Sequence, residues 1–181
     1  MLTPLPANLE ILHDRDALII RRKWFSVFAF FLALFTLIWN GFMVVWMTIA
    51  LKNGAWPMAA FGSIHAMVGI FLAYFCVASF VNKTDISIDP NYLKVRHYPL
   101  PWRGAKKLRV HEIQQLYCKE HIHRSKNGMN ISYHLLAITN NRREQKLLSG
   151  LQEASQAQFI EREIENILGL KDIPVAGEHR K

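Results

Sequence analysis

Between Trp24 and Asn82 the chain carries one charged side chain, Lys52. A stretch this long without charge cannot form the wetted surface of a small soluble domain. It divides at Lys52-Asn53-Gly54-Ala55-Trp56-Pro57 into two apolar runs, Trp24–Leu51 and Met58–Val81. Each exceeds the roughly 20 residues that a helix needs to cross the hydrocarbon core of a bilayer. The sequence therefore predicts a transmembrane hairpin, with segment 1–23 before it, a short external loop at 52–57, and a polar domain at 82–170 behind it. The first run is about twice as long as the apolar region of a secretory signal and starts late, so it reads as an uncleaved anchor.

Lysine and arginine flank the runs unevenly. Arg15, Arg21, Arg22 and Lys23 precede the first, and Lys83, Lys94, Arg96, Arg103, Lys106, Lys107 and Arg109 follow the second, against Lys52 alone in the connecting loop. The positive-inside rule then places both termini in the cytoplasm. Cys76 and Cys118 fall in different compartments of this topology, and no disulfide is expected.

The first run has aromatic residues at Phe28, Phe35, Trp39, Phe42 and Trp46, on one helical face. The second has small residues at Ala59, Gly62, Ala66, Gly69 and Ala73, also on one face. Helices in lipid approach closely at small residues, so an aromatic ridge lying in a small-residue groove is the expected packing. Asn40 and His65 are the amide and imidazole side chains within the runs. Positions summing to about 109 face each other across the turn, which brings Asn40 within about one helical turn of His65 and predicts a hydrogen bond between them. A haem or metal on His65 would need a second ligand from a partner chain, and no such cofactor is expected.

The polar part alternates like a sheet protein. Asp85–Asp89 and Tyr92–Arg96 flank a Pro90-Asn91 turn, and Pro99–Gly104 breaks the chain. Lys107–Val110, Ile113–Ile122, Ile131–Thr139 and Gln145–Leu148 are further candidate strands, with Lys126-Asn127-Gly128 as a turn. A final helix spans about Glu153–Leu168. Ala157, Ile160, Ile164, Ile167 and Leu168 make its apolar stripe, Glu161 and Glu165 belong to its wet face, and Gly169 stops it. A frayed tail follows, with Pro174 and Gly177.

Five positions of the first segment, Ile11, Asp14, Leu18, Ile20 and Arg21, match Ile86, Asp89, Leu93, Val95 and Arg96 at a constant offset of 75. Residues 8–22 are thus expected to form a second β-hairpin that docks on the sheet of the polar domain, since an isolated hairpin is marginal in water.

These features together, namely the strands of Asp85–Arg96, the Pro99–Trp102 break, the Ile113–Ile122 strand and the Gln156–Gly169 helix, resemble the bacterial membrane proteins with a pleckstrin-homology-like domain. The resemblance covers about residues 84–169. It implies an α+β membrane protein whose cytoplasmic antiparallel β-barrel is capped by a C-terminal helix and serves binding and oligomer formation.

Residues 82–146 hold 13 Lys and Arg against 5 Asp and Glu, whereas residues 147–181 hold 4 against 6. A basic surface beside a cytoplasmic leaflet attracts anionic lipid. Trp102, Arg103, Lys106, Lys107 and Arg109 are the candidate lipid- or partner-binding set, with Trp102 as an interfacial wedge. Nucleic acid is not expected, because no binding module accompanies the charge. Cys118-Lys119-Glu120-His121-Ile122-His123 has metal-ligand residue types. On a strand, however, Cys118 points away from His121 and His123, and a metal would need His111 or His134 as well. No metal, nucleophile elbow or phosphate loop is read here, so no enzyme is expected. The expected function is non-enzymatic binding of protein or anionic lipid. The alternative is an accessory or assembly subunit of a larger membrane complex.

Overall fold

The computed structural model describes residues 5–14, 17–125, 128–171, 173, 175 and 178. Arg15, Lys126, Asn127, Pro174 and Gly177 lie outside the described residues. The chain divides into two compact units, 1–23 with 83–181, and 24–82.

In the second unit, helices α1 (Phe28–Lys52) and α2 (Trp56–Val81) form an antiparallel hairpin. Both are long and apolar enough to cross a membrane, and most of their surface is exposed. α2 begins at Trp56 rather than at Met58, because Pro57 sits in the first turn, where its missing N–H costs nothing. The buried residues of α1 are Ala29, Thr36, Met43 and Ala50, one every seven positions. On α2 they include Gly62, Gly69 and Cys76, again every seven. A seven-residue seam is the signature of left-handed helix packing.

The expected aromatic ridge is seen in part. Trp39 and Trp46 lie against Gly69 and Gly62, whereas Phe28, Phe35 and Phe42 are exposed and the buried seam of α1 runs through Ala29, Thr36, Met43 and Ala50. A side chain at Gly62 would lie 2.9 Å from Trp46, and one at Gly69 would lie 2.6 Å from Asn40 Oδ1, so both sites require glycine for close approach.

The first unit contains two antiparallel sheets. Strands β1 (Leu9–Asp14), β2 (Ala17–Lys23), β3 (Lys83–Ile88), β4 (Tyr92–Tyr98) and β5 (Lys106–Arg109) form one sheet in that order. β6 (Ile113–Ser125), β7 (Gly128–Thr139) and β8 (Glu144–Leu151) form the other. The expected closed barrel is not seen: among the described strands no hydrogen-bonded pairing joins the two sheets. Helix α3 (Ala154–Leu168) packs on β6, β7 and β8.

One core joins the unit. Ile20, Ile86, Leu93, Val95 and Leu108 of the first sheet share it with Leu116, Leu135, Leu148 and Leu151 of the second and with Ala157, Ile160 and Ile164 of α3. β1 and β2 are integral to it. β2 pairs with β3 from Leu18↔Ile88 to Lys23↔Lys83, and Gln156 Nε2 of α3 donates to the Ala7 carbonyl at 3.0 Å.

α3 ends at Gly169, in the left-handed region at φ 63°, where the Leu170 N–H reaches back to the Glu165 carbonyl. Two positions on this helix depart from the expected stripe. Ile167 is exposed, and Glu165, expected on the wet face, is buried. Burial, together with Glu161 and Glu165 nearby, pushes the Cys118 thiol far above its ordinary range, which keeps it protonated and unreactive.

Ile20 and Ile86 are both fully buried in adjacent strands that lie on either side of the helical hairpin in sequence. Ile20→Ala and Ile86→Ala are each expected to cost about 2–5 kcal/mol. Chemical denaturation of the detergent-purified protein checks this. A β1–β2 hairpin acting as a free arm would make the Ile20 effect negligible.

Candidate functional site

β4 places Leu93 and Val95 in the core, so Tyr92, Lys94, Arg96 and Tyr98 project from the opposite face of the sheet. β5 adds Lys107 and Arg109 to that face, because Leu108 points inward. The register sets Lys94 directly against Lys107 and Tyr92 against Arg109.

Two ammonium groups opposed across strands repel. The structure compensates in two ways. Lys94 Nζ is 2.8 Å from Asp89 Oδ2, and the Tyr92 ring is near both cations, 4.0 Å from Lys107 Nζ and 5.5 Å from Lys94 Nζ. Asp89 is held below the usual carboxylate range by Lys94, reinforced by the N–H groups of Tyr92 and Asn91.

A similar motif recurs at the other end of β4. The Tyr98 ring lies 5.7 Å from the Arg21 guanidinium and 6.0 Å from that of Arg96. Asp85 accepts two bonds from Arg21, both at 2.9 Å, and one from the Tyr98 hydroxyl at 2.8 Å. Its capacity is thereby largely committed to Arg21. Arg96 and Lys107 each touch an aromatic ring and have no carboxylate partner among the described residues. The Arg109–Glu112 pair, at 3.6 Å and well exposed, is a weak one.

The five residues expected to form one binding set are therefore split. Lys107 and Arg109 lie on the outer face. Lys106 pairs with Val95 and projects to the other side of β5. Arg103 is exposed and Trp102 half-buried in the loop before β5. The residues that the sequence reading missed, Tyr92, Lys94, Arg96 and Tyr98, carry a simple signal: cations and tyrosines at every second position of one strand.

A second set of polar groups lies within the helical hairpin. Asn40 Nδ2 donates to the Thr36 carbonyl at 2.8 Å and to the Gly69 carbonyl at 3.2 Å. The His65 ring bonds the Phe61 carbonyl through Nδ1 at 3.1 Å. The expected Asn40–His65 side-chain bond is thus replaced by bonds from each residue to backbone. The physical reason is glycine: at position 69 the carbonyl is bare, and a side-chain N–H can reach it. Trp39 Nε1 and Trp46 Nε1 likewise donate to the carbonyls of His65 and Met58, at 3.3 and 3.4 Å.

Other candidates do not converge. The His121 and His134 rings are 5.0 Å apart, His123 pairs with Asn130, and His111 lies in the turn before β6. No group of three His, Cys, Asp or Glu among the described residues is placed to hold a metal ion. A cleft of about 550 Å³ between the β1–β2 and β3–β4 turns and the end of α3 is lined mainly by Leu18, Ile88, Val110, Ile167 and Leu168, with His13 at its edge. Its Asp89 is already committed to Lys94.

No protein-family model matches the chain, and no curated protein matches it at a significant level.

His97 sits on the inner side of β4. Its Nδ1 is 2.9 Å from Thr84 Oγ1, and Gly104, at φ 111°, lies against its Nε2. Burial lowers its pKa from the ordinary 6.5, and the Arg22 charge adds to this while the bond to the Gly104 backbone opposes it. Burial lowers His134 as well. A histidine that is harder to protonate folded than unfolded contributes stability above pH 6.5 and loses it as the pH falls below. Thermal unfolding between pH 8 and pH 5 should show this fall, and His97→Gln should flatten it. A second outcome is expected in the hairpin: Gly69→Val should lower the thermal stability of the detergent-purified protein, because the new side chain meets Asn40 and Trp39.

Proposed function

We propose that the chain is a two-span protein of the bacterial inner membrane with both termini in the cytoplasm, and that its β domain is a pleckstrin-homology-like module that binds anionic lipid without catalysis. The observation that supports this reading best is the outer face of β4 and β5. Among the described residues, four cations there, Lys94, Arg96, Lys107 and Arg109, are matched by Asp89 on Lys94 and the weak Glu112 contact on Arg109 alone.

The covalent path adds to this. Lys23 precedes the first apolar run directly and Lys83 follows the second, and the two are cross-strand partners. Basic residues at both ends of the spans lie where headgroups are, whatever the domain does beyond them. Each Lys or Arg near an anionic surface contributes about 1 kcal/mol, which is about a fivefold change in occupancy. The Tyr92 and Tyr98 rings beside the cations add amphipathic contact area suited to a headgroup layer.

A second reading, an accessory or assembly subunit, is favoured by one feature of the helices. Phe28, Phe35 and Phe42 form an exposed stripe at seven-residue spacing on α1. Trp39, by contrast, is bonded to α2, so Phe42 is the cleaner probe of a partner.

The two readings separate by salt and by position. Full-length protein purified in mild detergent should retain anionic lipid in native mass spectrometry. Charge reversal at Lys94 and Lys107 together, or 0.5 M salt during purification, should lower that retention by at least about fivefold. Unchanged lipid retention, combined with a protein partner lost on Phe42→Ala, would replace the lipid reading with the subunit reading.

A further inference from the structure

His65 has a requirement that the hairpin does not meet. It lies nine residues into α2 from Trp56, about 13 Å along the helix axis, which is near the middle of a hydrocarbon core about 30 Å thick. Its Nδ1 bonds the Phe61 carbonyl. A carbonyl only accepts, so Nδ1 carries the hydrogen, and Nε2 of the uncharged ring is left as an acceptor. No described residue donates to it. In water such an atom would be hydrated; in hydrocarbon it has no solvent partner.

The surroundings of the ring are shaped. Phe35, Trp39, His65 and Phe61 form a continuous ring array that crosses from α1 to α2, with successive centroids 5.8, 6.2 and 4.6 Å apart. Phe35 and Phe61 are exposed at its two ends. The acceptor thus belongs to an aromatic face of the hairpin, not to its sealed seam.

A second copy of this chain in a parallel two-fold arrangement brings none of the following side-chain donors to His65 Nε2. At this depth the indole of Trp39 and both amide hydrogens of Asn40 are bonded to carbonyls within the hairpin. Thr36 is sealed in the seam. Ser63 lies 200° around α2 from His65 and bonds the Ala60 carbonyl. Trp56 and Tyr74 are each nine residues from His65, on the opposite side of the helix and about 13 Å along it. In a parallel two-fold dimer, where equal depths meet, none of these groups faces His65 Nε2.

We propose that the Phe35–Trp39–His65–Phe61 face docks a transmembrane helix of a different membrane protein, and that this helix donates a hydrogen bond from a hydroxyl, amide or indole side chain to His65 Nε2. The inference rests on the two-span membrane reading. It is independent of lipid binding by the β domain.

The experiment places a photoreactive phenylalanine at Phe35 or Phe61 in the full-length chain, in its own host, with Met67 as the control at the same depth on the far side of α2. Irradiation at 35 and 61, and not at 67, should give one adduct with a mass other than twice the 21.0 kDa chain. His65→Leu should lower its yield by about fivefold to tenfold, the effect of losing one interhelical hydrogen bond in lipid. His65→Gln, which restores an acceptor oxygen, should recover it. An adduct of twice the chain mass would show a second copy on this face and overturn the proposal. So would equal labelling at Met67, no adduct, or an adduct indifferent to His65→Leu. A Soret absorption band that disappears in His65→Leu would put a porphyrin there instead. Extraction of the chain from membranes by alkaline carbonate would sink the membrane reading itself, an outcome distinct from all of these.

Discussion

The pairing of β2 with β3 is the constraint on which the rest depends. These strands are neighbours at hydrogen-bonding distance, yet the entire apolar hairpin is inserted between Lys23 and Lys83. The insert must therefore leave and return at one point. α1 and α2 have 25 and 26 residues, and the Trp24 N–H meets the Asn82 carbonyl at 3.1 Å, which closes the insert where it began. Nearly equal helix lengths keep the β2–β3 register, and the register in turn sets which side chains reach the core. A shift of one residue would send Ile20 and Ile86 outward and bring Arg21 and Asp85 in.

The sheet around this junction is built from two hairpins of the same design. Ile11 pairs with Ile20 as Ile86 pairs with Val95, and Glu10 pairs with Arg21 as Asp85 pairs with Arg96, each at the offset of 75. Laid edge to edge, the two units make a row Glu10–Arg21–Asp85–Arg96 of alternating charge across four strands, on the reverse of the row Ile11–Ile20–Ile86–Val95. The bidentate Arg21–Asp85 pair is the seam between the repeats. Arg96 ends the row without a further acid, which is how structural charge pairing passes into the unmatched basic face of β4 and β5.

Much of this was legible because it rests on periodicity. The stretch with Lys52 as its single charge marks the two long apolar helices directly, and alternation around Pro90-Asn91 marks β3 and β4 to within a few residues. Other features depend on contacts that periodicity does not encode. Glu165 follows the burial of Ile164 on α3 and is covered because β6 approaches that side of the helix. The aromatic positions of α1 share one helical face, but the seam follows the smallest residues, and three of the phenylalanines are left outside. The facing sum of 109 in fact pairs Asn40 with position 69. The choice between His65 and Gly69 as its partner was decided by a missing side chain, which a search for polar pairs overlooks. The basic set around Lys106 and Lys107 was read as a cluster in sequence, whereas strand alternation separates those two lysines and joins Lys107 to Lys94.

The closure of the insert at Trp24 and Asn82 also has a topological meaning. β2 and β3 are antiparallel neighbours, the arrangement that an ordinary tight turn can join. With respect to the sheet, the two apolar helices are a very long hairpin loop. A short Asn-Gly turn in place of residues 24–82 would leave every strand order and every core residue of the β domain where it is. The apolar hairpin is thus an insertion into the connectivity of the β domain, whose strand order does not depend on it.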